Sequence, residues 1–273
     1  MSQAVATIAT ERVTSADGTV IAFERVGSGP ALVLVDGALC YRDFGPARPL
    51  AGALSPSFTV YTWDRRGRGE SGDTAPYAVE REIEDLRAVI AAAGGQAFVV
   101  GQSSGASLAL AASAHGVPMR GLAVYEPPFV GQRRVKGRTV DYLATLRATL
   151  ARGDRAGAVS YFLVKMVGAP AFVPLMMRLM PRVWSKLKGV AHTLPYDASI
   201  MGDFEVPTAE LAKLRVPTLV LAGGKSPAPM REGVTRAAEA IPGSTHRILD
   251  GQTHQVSEKA LAPEIIGFFA TAG

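Results

Sequence analysis

The feature that most constrains this chain is a turn signature at residues 101–105, which read G-Q-S-S-G. An apolar run, 98–100, leads into it, and an alanine-rich stretch follows. A glycine–x–serine–x–glycine pentad between strand and helix predicts a sharp turn with a strained central serine, and its small residues let the two elements approach closely. Ser103 is then expected at the exposed end of a strand, with the positive end of a helix behind it. It is therefore a candidate nucleophile.

Short apolar runs bounded by turn residues predict strands buried on both faces of a sheet. Helical patterns lie between several of them, such as Val79–Ala93 and Ser104–Ala114. This alternation predicts an α/β fold with a mostly parallel central sheet flanked by helices. Arg12–Glu24 contains an Asp-Gly turn between stretches rich in β-formers, which predicts an antiparallel hairpin. The predicted strands are Ala31–Val35, Phe58–Trp63, Ala97–Val100, Gly121–Tyr125, Pro217–Leu221 and His246–Leu249.

The regular alternation stops after Pro128 and resumes near Val216. The residues between are helical in pattern and rich in methionine, which fits either a cap or ordinary core packing, because flexible thioethers fill irregular gaps in both. We predict one core domain, residues 1–128 and 216–273, with a helical cap or lid, 129–215, inserted after the sixth strand.

The most apolar stretch of the insertion, Tyr161–Met180, is not expected to span a membrane. Lys165, Arg178 and two prolines interrupt it. An amphipathic lid over an apolar pocket is the favoured interpretation. One alternative is that this stretch contacts a membrane surface, and another is that Phe162–Trp184 forms a dimer surface, which makes a homodimer possible.

Four motifs, in the same order along nearly the whole chain, resemble those of the α/β-hydrolase superfamily. Asp36-Gly37 follows the third predicted strand, where the family usually has His-Gly. Residues 63–71, W-D-R-R-G-R-G-E-S, are similar to the family's D-x-R-G-x-G-x-S turn. The serine pentad comes next, and residues 251–254, G-Q-T-H, follow the last strand. The resemblance implies an α/β-hydrolase fold and a serine hydrolase that needs no cofactor.

A serine at its ordinary pKa is a poor nucleophile and needs an adjacent base. The chain has four histidines. His254 lies in a polar loop after the last strand and matches the family's catalytic histidine. His115 ends the helix after the pentad, His192 lies in the insertion and His246 begins a strand, each without a motif around it. His254 is therefore the candidate base.

The acid that would orient His254 is not at the family's usual place. After the strand Pro217–Leu221 the family has G-x-x-D, but residues 223–226 read G-G-K-S. A carboxylate is needed to fix the histidine tautomer and stabilise the imidazolium. Some relatives, including a branch of the haloalkane dehalogenases, carry their acid one strand after the pentad, where this chain has Glu126. Glu126 is the candidate acid, with Asp250 or a serine–histidine dyad as alternatives.

Attack on a carbonyl builds negative charge on its oxygen, which two backbone N–H groups typically stabilise. By resemblance, these come from Ser104 and Ala38. Asp36 replaces the family's histidine, and we expect it to brace its loop through backbone N–H groups or Arg65; pointing inward, it would oppose the oxyanion. Cys40, in the same loop, is expected to be a small buried residue rather than a nucleophile.

The arginines at 65, 66 and 68 suggest phosphate binding, but the resemblance implies a structural role in pinning the strand end and nearby loops. Basic residues outnumber acidic ones by 29 to 24 with one short cluster, Arg133–Arg138, so nucleic-acid binding is not expected. No dinucleotide, Walker or H-E-x-x-H motif occurs, so neither a cofactor nor a metal is predicted.

The cellular compartment is inferred from two further features. Cys40 is the only cysteine, which excludes an internal disulfide and suits a reducing compartment. Met1–Thr10 lacks the basic start and apolar run of a secretory signal. Both features favour the cytoplasm.

Together the motifs predict a serine hydrolase that cleaves a small, largely apolar ester or related acyl compound. The triad would be Ser103, His254 and Glu126. One alternative is a carbon–carbon bond hydrolase or perhydrolase on the same fold. Another is a hydrolase-like binding protein that has lost its reactivity, suggested by Ser226 and Asp36. No motif identifies the substrate.

Overall fold

An eight-stranded sheet forms the centre of the molecule, whose computed structural model describes residues 9–132, 134–135 and 138–271. The first eight residues, Arg133 and Lys136 of the basic cluster therefore lie outside the described residues. The strands are β1 Glu11–Thr14, β2 Val20–Val26, β3 Ala31–Val35, β4 Thr59–Trp63, β5 Ala97–Gln102, β6 Met119–Tyr125, β7 Arg134–Val135, β8 Arg138–Thr139, β9 Thr218–Gly223 and β10 Thr245–Leu249.

The sheet order is β1-β2-β4-β3-β5-β6-β9-β10, and β7 pairs separately with β8. β1 and β2 form the predicted antiparallel hairpin, in which Thr14 pairs with Val20. β2 is also antiparallel to β4, whereas all strands from β4 to β10 in the sheet run parallel. The carboxyl ends of these parallel strands therefore meet at one edge, where α/β proteins place their sites.

Helices cover both faces of the sheet and make up most of the interval between β6 and β9. They are α1 Ala47–Leu54, α2 Val79–Ala92, α3 Ser104–Ala114, α4 Tyr142–Ala151, α5 Arg155–Tyr161, α6 Val173–Arg178, α7 Pro181–Gly189, α8 Leu194–Met201, α9 Thr208–Leu211, α10 Ala228–Ala240 and α11 Glu258–Thr271. A π-helical turn, Phe162–Met166, continues α5, and a 3-10 turn, Ala191–Thr193, precedes α8.

Alternation along each strand divides the core into two layers. In β3, Val33 and Val35 pack with α2, α3 and α10, while Leu32 and Leu34 point to the other face and pack with α1 and α11. Both faces are apolar, because successive strand residues point to opposite sides and helices cover each side. The sequence prediction of an α/β fold with a mostly parallel sheet is confirmed.

Helices α4 to α9 lie in the interval between β6 and β9. Asp141 and Asp154 begin α4 and α5 as N-caps, accepting backbone N–H bonds from Ala144 at 2.8 Å and Gly157 at 2.7 Å. A third apolar cluster, centred on Phe162, Trp184 and Leu194, includes Leu39 of the core. At the two ends of the interval, Phe129, Leu211 and Leu214 pack with the sheet itself.

Five strands differ by one or two residues from the predicted bounds. β5 runs on to Gln102, and β10 begins at Thr245. β4 begins at Thr59 rather than Phe58, because the N–H of Phe58 bonds to the carbonyl of Leu54. β6 begins at Met119, which pairs with Ala97 across an irregularity in the register. β9 runs on to Gly223, which pairs with Leu249 of β10.

Candidate active site

The three predicted site residues lie at the ends of strands that meet at one edge of the sheet. β5 and β6 end level, since Gln102 pairs with Tyr125, so the next residues, Ser103 and Glu126, are neighbours. The N–H of Ser103 donates to the carbonyl of Tyr125 at 3.0 Å. His254 arrives on the loop after β10.

Ser103 occupies the sharp turn that its pentad predicts. Its φ of 54° and ψ of −125° are strained for a residue with a side chain. The turn requires small neighbours: a Cβ on Gly101 would lie 2.7 Å from Cα of Ala106, and one on Gly105 would overlap the carbonyl of Val35. The side chain of Ser103 thus stands between β5 and the start of α3.

A continuous hydrogen-bonded chain links the three residues. Oγ of Ser103 lies 3.1 Å from Nε2 of His254, and Nδ1 of the same ring lies 2.7 Å from Oε2 of Glu126. An ionised carboxylate only accepts, so the bond to Glu126 requires the proton on Nδ1. Nε2 is then left with a lone pair directed at Ser103.

Glu126 is held rigidly as a buried anion. It is fully buried, and its φ of 47° is unusual for a residue with a side chain. Oε1 accepts the N–H of Gly223 at 2.7 Å, which leaves Oε2 for His254. Burial pushes the pKa of Glu126 upward, but the hydrogen bonds from His254 and Gly223 outweigh it, so the pKa lies below its ordinary value.

The ends of β6 and β9 are neighbours in the sheet, so a carboxylate that follows β6 can take the place of one that follows β9. Ser226, at the family's usual acid position, is buried beside the carboxylate of Glu126. A hydrogen bond from the hydroxyl of Ser226 to this carboxylate favours the ionised form and also lowers the pKa of Glu126. Asp250, the other candidate, is exposed. Of these acids, Glu126 is the one bonded to His254.

Tyr125 holds the loop of His254, a role that sequence reasoning missed. Its hydroxyl donates to the carbonyl of Thr253 at 2.6 Å. The residue before the candidate base is thus tied to the residue before the candidate acid. The only sequence signal was the adjacency of Tyr125 to Glu126.

The loop after β3 approaches Ser103 closely. A Cβ on Gly37 would lie 3.1 Å from Cβ of Ser103. Leu39 takes a left-handed φ of 64°, which turns the chain just after Ala38. Ser104 is the first residue of α3, and its N–H is one of the first-turn amides that a helix leaves unbonded. The predicted amide donors, Ala38 and Ser104, therefore flank the serine.

Buried arginines anchor this loop, which confirms the structural role predicted for the 63–71 turn. Nη1 of Arg68 donates to the carbonyls of Gly37 at 2.8 Å and Cys40 at 3.2 Å. Nη1 of Arg65 donates to the carbonyl of Asp36 at 3.2 Å. Both guanidinium groups are at most 1% exposed. Each forms ion pairs that offset the cost of burying its charge.

Asp197, on α8, is a second residue that the sequence did not reveal. Its carboxylate binds Arg68 at 2.7 Å and Arg65 at 3.0 Å, and accepts the hydroxyl of Ser104 at 2.8 Å. Burial raises the pKa of Asp197, but the two arginines and Ser104 lower it more, so it stays below its ordinary value. One buried carboxylate thus connects α8 to the arginines and to the residue after Ser103.

Asp36 does not brace its loop as expected. The contact with Arg65 runs through the backbone carbonyl of Asp36, and Oδ2 of its side chain is buried without a partner. Burial raises the pKa of Asp36 to about 7, despite the nearby arginines. Burial and the adjacent Asp36 likewise raise the pKa of Cys40 to about 12, so this half-buried thiol is not a nucleophile at neutral pH.

A cavity of about 510 Å³ opens at Ser103 and His254. Its walls are mainly apolar, with contributions from Phe44, Tyr125, Phe162, Val167 and Val256. A second cavity of about 550 Å³ lies between α4 and α8 and contains none of the three site residues. The first is therefore the candidate substrate pocket.

Residues 9–132, 134–135 and 138–271 contain neither a cluster of metal-binding side chains nor a membrane-spanning helix. In that part of the chain, no group of three or more histidine, cysteine, aspartate or glutamate side chains is arranged to hold a metal ion. Nor does any helix there combine the length and apolar character needed to cross a membrane.

The parallel sheet, the strained serine turn and the adjoining histidine define the α/β-hydrolase class. The model of the alpha/beta hydrolase family matches residues 27–259, and this chain belongs to that family. It is a hydrolase, as the sequence resemblance implied.

Individual proteins support the same assignment. An alpha/beta hydrolase from Sphaerobacter thermophilus DSM 20745 is 50% identical, with a TM-score of 0.87 over 95% of this chain and 100% of that one. A pimeloyl-(acyl-carrier protein) methyl ester esterase from Xanthomonas campestris pv. campestris is 28% identical, covering 84% of this chain and 89% of its own. An esterase from Rhodococcus sp. ECU1013 shares the fold, with 20% identity, a TM-score of 0.69, and coverage of 97% and 99%.

Proposed function

We propose that this protein hydrolyses small, largely apolar carboxylic esters through an acyl-enzyme on Ser103. The observation that carries the proposal is the chain of hydrogen bonds from Ser103 through His254 to a fully buried Glu126. A binding protein would have no need for a buried anion that fixes one histidine tautomer beside a strained serine.

In the first half of the reaction, Oγ of Ser103 attacks the ester carbonyl while Nε2 of His254 takes the hydroxyl proton. The imidazolium that forms is stabilised by the carboxylate of Glu126 across 2.7 Å. The tetrahedral intermediate then collapses: its bond to the alcohol oxygen breaks, and His254 returns the proton to that oxygen. The alcohol leaves, and the acyl group stays on Ser103.

In the second half, water attacks the acyl-enzyme and His254 again accepts the proton. The carbon–Oγ bond breaks, Ser103 recovers its proton from His254, and the carboxylic acid leaves. In both halves the backbone N–H groups of Ala38 and Ser104 stabilise the oxyanion. Such donors typically lower a barrier by about 3–4 kcal/mol.

The ester class is supported by the pocket and by the relative's chemistry. The pocket of about 510 Å³ is lined mainly by apolar side chains, which favours a small apolar acyl or alcohol group. The Xanthomonas relative is a methyl ester esterase. Residues 129–215 act as the lid in this proposal, since Phe162 and Val167 form part of the pocket wall.

The test combines turnover with covalent labelling. p-Nitrophenyl acetate, butyrate and octanoate are supplied to the protein, and a fluorophosphonate probe is located by mass spectrometry. We expect ester turnover and labelling at Ser103, both lost in Ser103→Ala. Ser107→Ala, which changes a buried serine on the same helix, is the matched control and keeps both. Turnover that survives Ser103→Ala, or a native protein that neither turns over nor labels, rejects the proposal.

A further inference from the structure

Six of the nine exposed large hydrophobic side chains among the described residues lie on the insertion, in and beside α6. These side chains, which we call the apolar patch, are between 53% and 73% exposed. They are Val167, Phe172, Leu175, Met176, Leu179 and Met180. Among the described residues, three other large hydrophobic side chains are exposed: Val20, Val130 and Ile248. A concentration of exposed apolar side chains of this kind is typical of an interaction site.

The segment 155–196, which carries the apolar patch, has charged residues of one sign. No aspartate or glutamate occurs between Asp154 and Asp197, whereas six lysines and arginines do. Five of these are exposed, and Lys188 is half-buried. They are Arg155, Lys165, Arg178, Arg182, Lys186 and Lys188, which we call the cationic rim.

The apolar patch continues into the wall of the candidate pocket. Val167 belongs to both, and the π-helical turn Phe162–Met166 connects the pocket wall to the patch. A surface that covers the patch would therefore lie at the mouth of the pocket.

We propose that the apolar patch and the cationic rim seat the protein on a bilayer that contains anionic phospholipids. The apolar side chains would enter the boundary between head groups and acyl chains, and the cations would face the anionic head groups. Such a contact needs no spanning helix. It depends on the apolar patch and the cationic rim and not on the catalytic groups, so it stands whether or not Ser103 acts as a nucleophile.

The charge pattern favours this occupant over a second copy of the chain. A symmetric dimer places the same patch of both copies face to face. The two cationic rims would then meet without a single acidic residue from this stretch between them. An anionic lipid surface supplies both the apolar environment and the opposite charge.

The experiment is flotation with phosphatidylcholine vesicles, with and without one-third phosphatidylglycerol. We expect the protein to float with the anionic vesicles and stay behind with the neutral ones. The binding should weaken at high salt, which screens the charges. Leu175→Ser with Leu179→Ser should weaken binding by at least about tenfold, since both leucines leave water on binding. Arg178→Gln with Arg182→Gln should weaken it by about fivefold per charge.

Matched controls change the same residue types elsewhere. Ile248→Ser removes an apolar side chain that is 51% exposed on β10, and Arg236→Gln removes an exposed charge on α10. Both should float like the native protein, and so should Ser103→Ala. Thermal unfolding of each variant verifies that it is folded.

Three results would overturn the proposal. The first is a native protein that stays behind with anionic vesicles. The second is equal loss of binding in Ile248→Ser. The third is a light-scattering mass near twice 28.6 kDa that returns to 28.6 kDa in the leucine variant, which assigns the patch to a second copy.

Discussion

Glu126 combines complete burial, a fixed backbone and a lowered pKa in a single side chain. Its work in the proposed mechanism is to keep the proton of His254 on Nδ1. Both acceptor oxygens are occupied, one by Gly223 and one by His254. Replacing Glu126 therefore affects the tautomer and orientation of His254 more directly than it affects the shape of the pocket.

Glu126→Gln tests that role at the scale of one atom. The amide keeps the shape but can donate to Nδ1, which favours the wrong tautomer of His254. We expect kcat/KM for p-nitrophenyl butyrate to fall by about 10³–10⁴-fold. Asp250→Asn, a change at the other candidate acid, should alter it less than twofold. Comparable losses in both variants would contradict the assignment.

Asp36 should make stability depend on pH in the opposite sense to most carboxylates. Its pKa is about 7 in the folded protein against 3.8 ordinarily, so the unfolded chain loses this proton first as the pH rises. Stability then declines between those values, by at most about 4 kcal/mol, since one pKa unit is about 1.4 kcal/mol.

Asp36→Asn should therefore unfold at a higher denaturant concentration than the native protein at pH 8, with a difference that shrinks towards pH 4. Urea unfolding at several pH values measures this. If the difference in unfolding midpoint between Asp36→Asn and the native protein stays constant with pH, the pKa of Asp36 is not raised in the folded protein.

Local sequence was sufficient for some site residues and insufficient for others. The pentad and the last loop identified Ser103 and His254, because the necessary turn and loop are encoded within a few residues. Tyr125 bonds to a carbonyl 128 residues away, and Asp197 bonds to Arg68 across 129 residues. Such pairs depend on how the helices pack, which a local pattern does not contain.

At the scale of elements, the ends of β6 and β9 are two adjacent positions from which a carboxylate can face His254. Glu126 directly follows the last residue of β6, and the turn after β9 carries the small Ser226 next to it. Serine leaves room for the larger carboxylate, and the N–H of Gly223, the last residue of β9, fixes it.

Ser226→Asp should consequently rescue a protein that has lost Glu126. In Glu126→Ser with Ser226→Asp, we expect at least about tenfold more activity than in Glu126→Ser alone, because a carboxylate again faces Nδ1. The measurement is kcat/KM with p-nitrophenyl butyrate. No rescue in a folded double variant would show that the β9 turn cannot reach His254.

A second prediction at this scale concerns the ion pairs that join α8 to the core. Asp197→Asn leaves Arg65 and Arg68 with one carboxylate fewer in a buried site. Breaking such a pair costs about 3–5 kcal/mol, and we expect that loss in urea unfolding. Labelling of Ser103 should also slow at urea concentrations well below the unfolding transition. The reason is that Arg68 holds the carbonyl of Gly37, in the loop that lies against Ser103. Asp203→Asn, an exposed change on the same insertion, should do neither.

Elements were predicted more completely than their contacts. β3 and α3 have their predicted bounds because alternation and helical patterns are local. The side-chain role expected of Asp36 was wrong, since its carboxylate lacks the partners that a loop brace requires. The error arises from tertiary contacts that a local pattern does not contain, since Arg65 already forms ion pairs with Glu82 and Asp197.

For the whole molecule, titratable groups whose pKa values are shifted in opposite directions should give a maximum in stability as a function of pH. Hydrogen bonds and ion pairs outweigh burial for Glu24, Glu126 and Asp197, so their pKa values are lowered. Their stabilisation is complete above the unfolded values, near 4, and is lost as the pH falls through the lower folded values. Asp36 acts oppositely between 3.8 and about 7. Asp85, whose pKa burial raises to about 6, acts in the same sense as Asp36, whereas burial lowers the pKa values of His192 and His246, which favours folding at higher pH. Thermal unfolding from pH 2 to 9 should therefore show its highest stability between about pH 4 and 7, and a steady rise up to pH 8 would contradict this balance.

The adjacency of the β6 and β9 ends also suggests how such a site evolves. A form with acids at both ends keeps a carboxylate for the histidine while either one is lost. Each arrangement would then be reachable from the other by successive substitutions, with function retained at every stage. In this view, the reaction requires a carboxylate near His254, and either of the two strand ends can supply it.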